Sequence, residues 1–206
     1  MIIIGICGTS GSGKSSACEI FSDLGCAVLD CDRIYHEMTN SPSDCLLALV
    51  AEFGPKVMKD GRLDREALRE IVFNDAEKLR LLNQISHSYI KEELKKHLRH
   101  LSDSGAECVL LDAPTLFEAG IDAWCDHLIA VTAPKEDKIR RICHRDGLSV
   151  QDAMLRLKNQ RSDEFLIEKC DFVLRNNGSL EDLTEQCKKI LNTIQNHTLK
   201  EKRELL

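Results

Sequence analysis

The chain has 206 residues, of which 43% are hydrophobic and 30% charged, a balance that excludes a disordered or fibrous protein. Its 28 basic and 34 acidic residues give a net charge of −6, which argues against general binding of nucleic acid. The length predicts one core domain with room for an insertion.

The composition also predicts the cellular setting. No run approaches the roughly 18 apolar residues of a membrane span, and the apolar N-terminus lacks the basic segment of a signal peptide. The ten cysteines include no CxxC pair, so we expect buried, reduced thiols rather than zinc ligands or disulfides. We therefore expect a soluble, cytoplasmic protein that does not bind a membrane.

The first elements predict a βαβ unit. Residues 2–7 are continuously apolar, which is typical of a strand buried on both faces of a parallel sheet. A helix is predicted over residues 14–24 with Gly25 as its stop, and a second strand over residues 26–29. Together they imply a right-handed crossover.

The remaining elements complete an α/β pattern around a helical insertion. Residues 33–101 show helical periodicity and no convincing strand. Three more strands are predicted at 108–112, 127–131 and 172–174, with helices over 135–168 and 179–196. The fold class is therefore α/β, with a parallel five-stranded sheet flanked by helices.

Residues 8–15 read GTSGSGKS and match the phosphate-binding loop GxxxxGK[ST] between a strand and a helix. Its glycines let backbone N–H groups turn inward around phosphates, and the following helix N-terminus adds positive charge. Lys14 can reach the β- and γ-phosphates, and the Ser15 hydroxyl can bind Mg²⁺. We therefore predict a P-loop NTPase-type site for ATP and Mg²⁺.

The loop alone does not identify the reaction. The base-reading signature NKxD of GTPases is absent, and Asp112 is followed by Ala113 and Pro114 rather than by the glutamate of many hydrolases. A small-molecule phosphotransferase is the interpretation that we favour.

Acidic residues follow two of the predicted strands. Asp30 and Asp32 come where ligands bind in open α/β sheets, and their spacing puts both on one side of an extended segment. One of them can take the proton of a substrate hydroxyl, although capping of the next helix is an equal alternative. Asp112 is predicted to support Mg²⁺ beside the loop, with a turn-capping acid as the alternative.

A basic cluster and one histidine stand apart from the loop. The cluster lies in the late helical segment, where a mobile flap could close over ATP; its members are Arg140, Arg141, Arg145, Arg156 and Arg161. We expect this segment to join the core only at its ends. A solvated helix face is an equally good interpretation of any single arginine, and a half-buried structural role is the simpler one for His87.

The ordered set of motifs over about residues 2–190 resembles the dephospho-CoA kinase family. Beyond the loop, VLDCD at 28–32, GRLDR at 61–65 and LNQISH at 82–87 are similar to family motifs. So are LDAPTLFE at 111–118, the lid pattern from Arg141 to Gln160, and DFVLRNNGS at 171–179. The sequence departs from the family at His36, Ser88 and Thr115, which bears on contacts to the CoA moiety.

The resemblance implies a reaction and a set of roles. The reaction is phosphorylation of the ribose 3′-hydroxyl of dephospho-CoA by ATP with Mg²⁺, the last step of CoA biosynthesis. It implies a core (1–31, 105–134 and 166–206), a CoA-binding insertion (32–104) and a lid (135–165). The implied catalytic residues are Asp32, as base, with Lys14 and Arg141. The residues implied to bind ATP are Gly11, Ser12, Gly13, Lys14, Ser15, Ser16, Arg145, Asn176 and Gly178. The residues implied to bind the acceptor are Asp32, Arg65, His87 and Phe117. The residues implied to bind the metal are Ser15 and Asp112.

Two other functions share these features. A nucleoside or nucleoside-monophosphate kinase also has the loop, an insertion and a lid, and a P-loop regulatory switch also binds nucleotide. The missing NKxD and the acid at position 32 disfavour the switch. We expect a small-molecule substrate, no nucleic-acid partner, and a monomer or weak homo-oligomer.

Overall fold

The computed structural model describes residues 1–73 and 75–204, with side chains as far as residue 196. Two compact units are present, Met1–Val28 with Ser104–Leu206 as the first and Leu29–Asp103 as the second. The strands are β1 (Ile2–Gly8), β2 (Ala27–Asp30), β3 (Met58–Lys59), β4 (Arg62–Leu63), β5 (Cys108–Asp112), β6 (His127–Thr132) and β7 (Phe172–Arg175). The helices are α1 (Lys14–Asp23), α2 (Cys31–Thr39), α3 (Asp44–Phe53), α4 (Arg65–Val72), α5 (Ala76–Asp103), α6 (Lys135–Asp146), α7 (Val150–Lys158), α8 (Asp163–Lys169) and α9 (Leu180–Glu204).

The first unit is built on the predicted five-stranded sheet, which is confirmed with the order β2-β5-β1-β6-β7. The central strand β1 pairs in parallel with β5 and β6, and β6 pairs in parallel with β7. Helices α1 and α9 pack against the sheet through a core that includes Phe21, Leu110 and Ile194, each fully buried. Since parallel strands all point one way, the carboxyl ends of β1 and β5 meet at the edge where the loop begins.

The second unit is mainly helical, as predicted, but it contains a hairpin that the sequence analysis missed. Its core gathers apolar residues of α3, of α4 and of the 3₁₀ turn Pro55–Val57, among them Leu49, Val57 and Leu68. The hairpin pairs β3 with β4 in antiparallel register. It turns through Asp60 and Gly61, which both have left-handed φ angles of 51° and 74°.

The functional division into core, insertion and lid stays a prediction. Packing separates only two units, and residues 135–165 belong to the first of them. They form α6, α7 and α8 rather than one helical segment. Residues 205 and 206 of the predicted core range lie outside the described residues.

Candidate active site

The phosphate-binding loop joins β1 to α1 in the first unit. Gly11 and Gly13 have φ angles of 76° and 93°, a left-handed conformation that favours glycine. The Ser12 N–H donates to the Thr9 carbonyl at 3.0 Å and closes a turn. Gly13 is the N-cap of α1, and no side chain caps this helix end. The first-turn N–H groups of α1 thus have no capping side chain, as an anion-binding helix end requires.

Two side chains from later in the chain hold the outer face of this loop. The Arg141 Nη1 atom donates to the carbonyls of Gly11, at 3.1 Å, and of Ser12, at 3.4 Å. The Asn176 Nδ2 atom donates to the same Ser12 carbonyl at 2.9 Å. Because the C=O and N–H of a trans peptide point in opposite directions, fixing the Ser12 carbonyl turns the Gly13 N–H toward the other side. Arg141 and Asn176 therefore orient a donor of the loop.

Lys14 forms an ion pair with Asp112, the last residue of β5. Both side chains are largely buried, with 17% and 11% of their surface exposed. The Cys18 Sγ atom donates to the other Asp112 oxygen at 3.4 Å. Asp112 thus pairs with the lysine of the loop. Its predicted role in metal binding stays a prediction. Ser15 is exposed in the first turn of α1 and Ser16 is half-buried beside it.

The arginines of the predicted lid other than Arg141 each have a carboxylate partner. Arg140 pairs with Asp137 at 2.8 Å and Arg161 with Glu118 at 2.8 Å. Arg145 and Arg156 both pair with Asp146. Hydrogen bonds from Arg145 and Arg156 lower the pKa of Asp146 to about 2, and the same pairing raises the pKa of Arg145.

One expectation about the segment 135–165 was wrong. The segment does not join the core only at its ends, since Arg141, in the second half of α6, reaches the loop. The arginines of the segment are also neutralised by acids within it and beside it. Within the segment, Ile142 and Ala153 are fully buried.

Phe117 and Gly178, also predicted as site residues, lie in the first unit. The Phe117 ring packs edge-on against Phe165 of α8, with 5.4 Å between ring centroids. A Cβ at Gly178 would lie 2.5 Å from the Asp182 carboxylate, which accepts the Ser179 N–H at 2.9 Å. Gly178 therefore leaves room for the cap of α9.

The predicted acceptor residues lie in the second unit. The prediction that Asp30 and Asp32 share one side of an extended segment was wrong, because the chain turns into α2 at Cys31. Asp30 is the N-cap of α2 and accepts the Arg33 N–H at 3.0 Å. Asp32 is exposed in the first turn of that helix.

Arg65 and His87 complete the acceptor set. Arg65 begins α4 and its Nη2 atom donates to the buried Thr39 hydroxyl at 3.0 Å. Its guanidinium also lies over the Tyr35 ring, 5.6 Å from the centroid, where burial raises the pKa of the tyrosine. His87 is half-buried on α5.

All ten cysteines are free thiols, as expected, and seven of them are buried. Burial raises the pKa of Cys45 and of Cys187 to about 11, so both stay protonated at neutral pH. In the described part of the chain, no group of three or more His, Cys, Asp or Glu side chains could hold a metal by itself. None of the helices described is both long enough and apolar enough to cross a membrane.

Two residues beside the loop, Lys138 and Asp163, were not predicted from the sequence. Lys138 of α6 is 7% exposed, and its Nζ atom lies 2.7 Å from Asp163 and 3.2 Å from the Thr9 hydroxyl. One signal for it was available: Lys138 stands four residues before the buried Ile142, on the face of α6 where an apolar residue is expected.

Comparisons with known proteins agree with this architecture. The family model described as dephospho-CoA kinase matches residues 2–182. A dephospho-CoA kinase of Corynebacterium glutamicum is 36% identical over 94% of this chain and 100% of its own length. One of Moorella thermoacetica is 38% identical over 96% of this chain and 94% of its own.

Solved structures also resemble this chain in fold. A protein of Thermus thermophilus superposes with a TM-score of 0.80 at 34% identity, covering 93% of this chain and 96% of its own. The dephospho-CoA kinase of Campylobacter jejuni gives 0.70 at 28% identity, covering 95% and 98%. A shikimate kinase of Acinetobacter baumannii, 16% identical with a TM-score of 0.56 and coverage of 97% and 96%, shares the fold.

Proposed function

The chain belongs to the dephospho-CoA kinase family, and from this premise we propose that it transfers the γ-phosphate of ATP to the ribose 3′-hydroxyl of dephospho-CoA. The products are CoA and ADP. The observation that carries the proposal is the phosphate-binding loop, in a chain that the family model matches over residues 2–182. The loop has its lysine, a helix N-terminus that no side chain caps, and hydrogen bonds to its carbonyls from Arg141 and Asn176.

The loop and its surroundings bind the donor in this proposal. The loop surrounds the phosphates, and Lys14 supplies a positive charge that strengthens its contact as charge develops on the transferring group. Arg141 supports the loop from behind, through the carbonyls of Gly11 and Ser12. The remaining ATP-binding residues of the proposal are Ser15, Ser16, Arg145, Asn176 and Gly178.

The oxygen groups of Ser15 and Asp112 suit Mg²⁺, which prefers hard oxygen ligands and is commonly held by one or two protein groups together with phosphates. Ser15 is exposed at the start of α1, and the Asp112 carboxylate lies among polar partners at the end of β5. When bound, the ion would neutralise phosphate charge. Asp112 is then shared between this role and the Lys14 ammonium.

Asp32 is proposed as the base that accepts the proton of the 3′-hydroxyl, since its carboxylate is exposed in the first turn of α2 and a positioned carboxylate can take the proton of a reacting hydroxyl. Arg65, His87 and Phe117 are proposed to contact the acceptor. The Thr39 hydroxyl and the Tyr35 ring hold the Arg65 guanidinium in place, which suits a group that must meet an anionic part of the acceptor.

A coupled ADP-release assay with dephospho-CoA, adenosine, uridine and AMP as acceptors tests the proposal. We expect turnover with dephospho-CoA and at least about a hundredfold lower kcat/KM with the others. Preference for a nucleoside or for AMP would replace the proposed acceptor, and turnover of none would indicate a regulatory nucleotide binder. We also propose a reducing, cytoplasmic setting, supported by ten free thiols, and a monomer or weak homo-oligomer, which light scattering measures.

A further inference from the structure

We propose that Thr9, Lys138 and Asp163 form a positioning triad that ties two lid helices to the phosphate-binding loop and tunes nucleotide affinity through the loop. The three side chains make a closed ring of contacts. Lys138 Nζ lies 2.7 Å from Asp163 Oδ2 and 3.2 Å from Thr9 Oγ1, and Thr9 Oγ1 donates to Asp163 Oδ1 at 3.3 Å.

Burial makes these contacts strong. The side chains of Lys138 and Asp163 are 9% and 21% exposed, and Thr9 is 7% exposed. A charged hydrogen bond in such surroundings is about twice as strong as a neutral one. A lysine in the buried face of α6 is costly unless it is paired, so Asp163 explains how the chain keeps it there. The ion pair in turn holds the Thr9 hydroxyl from two sides.

Thr9 connects the ion pair to the part of the loop that binds phosphate. Its carbonyl accepts the Ser12 N–H and closes the loop turn at 3.0 Å, while its side chain is held by the pair. A second hydrogen bond holds the next residue of the loop, because the Ser10 N–H donates to Gln160 Oε1 at 2.9 Å. The turn is therefore anchored at its first two residues as well as at the carbonyls of Gly11 and Ser12.

The triad joins separate elements. Lys138 lies in the first half of α6, and Asp163 is the first residue of α8. The α6 backbone also abuts the loop directly, since a Cβ on Gly11 would lie 2.6 Å from the Lys138 carbonyl oxygen. A movement of either helix therefore acts on Thr9, and a nucleotide that fixes the loop acts on both helices.

This inference rests on nucleotide binding at the loop, which is part of the proposed function. Binding of ADP is therefore measured by calorimetry without any acceptor. Failure of the chain to phosphorylate dephospho-CoA would then leave the test of the triad intact, whereas wild-type protein that does not bind ADP would overturn both.

The first comparison is Thr9→Val against Thr9→Ser. Valine has nearly the shape of threonine but no hydroxyl, whereas serine keeps it. We expect Thr9→Val to bind ADP roughly tenfold more weakly, which corresponds to about 1.4 kcal/mol, and Thr9→Ser to stay within about twofold of wild type. Equal affinity of the valine and serine variants would overturn the role of the hydroxyl.

The second comparison separates positioning from stability. Lys138→Met and Asp163→Asn alone each leave a buried charge without its partner and should lower the unfolding temperature, whereas the double variant should regain most of the loss. We expect the double variant to bind ADP roughly tenfold more weakly than the wild type, as Thr9→Val does, because neither variant holds the Thr9 hydroxyl in place. Recovery of both temperature and affinity would mean that the pair is only structural. The matched control is Lys135→Met, an exposed lysine of the same helix, with unchanged ADP binding.

Hydrogen exchange tests the connection to the lid. In the wild type, ADP should slow amide exchange both in residues 8–15 and in α8. In Thr9→Val at saturating ADP, the loop should still be protected while α8 loses that response. Full protection of α8 in the valine variant would overturn the proposed coupling.

Discussion

Replacing Gly13 by alanine should damage the phosphate-binding loop, whereas the same change at Gly25 should not, although the two glycines have nearly the same φ angle. Their φ angles are 93° and 94°, and this left-handed region costs a residue with a Cβ about 1–2 kcal/mol. At Gly25 a new Cβ would meet no atom within 4 Å. Gly25→Ala thus measures the cost of the conformation alone.

At Gly13 the new Cβ would overlap the Asn176 amide. Asn176 must then move and lose its 2.9 Å hydrogen bond to the Ser12 carbonyl, a loss of roughly 0.5–1.5 kcal/mol. For a chain of this length, about 2–4 °C of unfolding temperature corresponds to 1 kcal/mol. We therefore expect Gly13→Ala to unfold a few degrees below Gly25→Ala.

Nucleotide binding should separate the two variants more clearly. Loss of the Asn176 hydrogen bond leaves the Ser12 carbonyl only its longer contact to Arg141, which loosens the orientation of the adjoining Gly13 N–H. We therefore expect ADP to bind at least about tenfold more weakly to Gly13→Ala. Gly25→Ala should bind ADP like the wild type. Thermal unfolding and calorimetry on the two variants make the measurement. Equal unfolding temperatures and equal ADP affinities would refute the assigned role of Asn176.

Three further outcomes are expected. Lys14→Met should lower kcat at least about a hundredfold in the ADP-release assay, with circular dichroism showing a retained fold; a variant with more than a tenth of wild-type turnover would contradict its role. Asp32→Asn should lower kcat far more than it raises KM for ATP, whereas Asp30→Asn should be milder because asparagine also caps helices; the reverse order would exchange the two roles. The pKa of Asp146 is lowered from 3.8 to about 2, mainly by Arg145, so this acid stabilises the fold above its ordinary pKa and loses the effect as the pH falls toward 2. Wild type should therefore be more stable than Asp146→Asn in urea at pH 7, and the difference should shrink between about pH 4 and 2; a difference that grows there would contradict the assignment.

The sheet could be predicted from the sequence because its strands carry local signals. A strand buried on both faces needs an unbroken apolar run, and residues 2–7 and 108–112 supply one. The structure places β1 at Ile2–Gly8 and β5 at Cys108–Asp112. The loop was equally predictable, since its glycines and lysine stand at fixed spacing between a strand and a helix.

The hairpin was missed although its signal was present. Asp60 and Gly61 are the residues of a two-residue type I′ turn, in which both φ angles are positive. The flanking strands have only two residues each, too few for alternation to be recognised within a helical stretch. Asp30 was left undecided between a ligand-binding acid and a helix cap for a related reason, because an acid at a strand end and an acid at a helix N-cap have the same sequence context.

The predicted lid, residues 135–165, shows why charges are harder to interpret than apolar periodicity. The partner of Arg140 is three residues away, and this pair could be recognised from helical spacing. The partner of Arg161 is Glu118, 43 residues earlier in the chain. No spacing rule predicts such a pair, since it depends on how α8 packs beside the segment after β5. The basic cluster was therefore visible in the sequence while its neutralisation was not.

The conformation of the phosphate-binding loop likewise depends on residues far away in the sequence. Its motif specifies residues that can adopt the phosphate-binding conformation, but glycine also permits many others. The side chains that select one conformation come from much later in the chain. Lys138 is 129 residues beyond its partner Thr9, and Asn176 is 164 residues beyond its partner Ser12. A short peptide with the loop sequence lacks these partners. We therefore expect the affinity of the site for nucleotide to depend on α6, on α8 and on the segment after β7, so that substitutions there change phosphate binding without altering any residue of the motif.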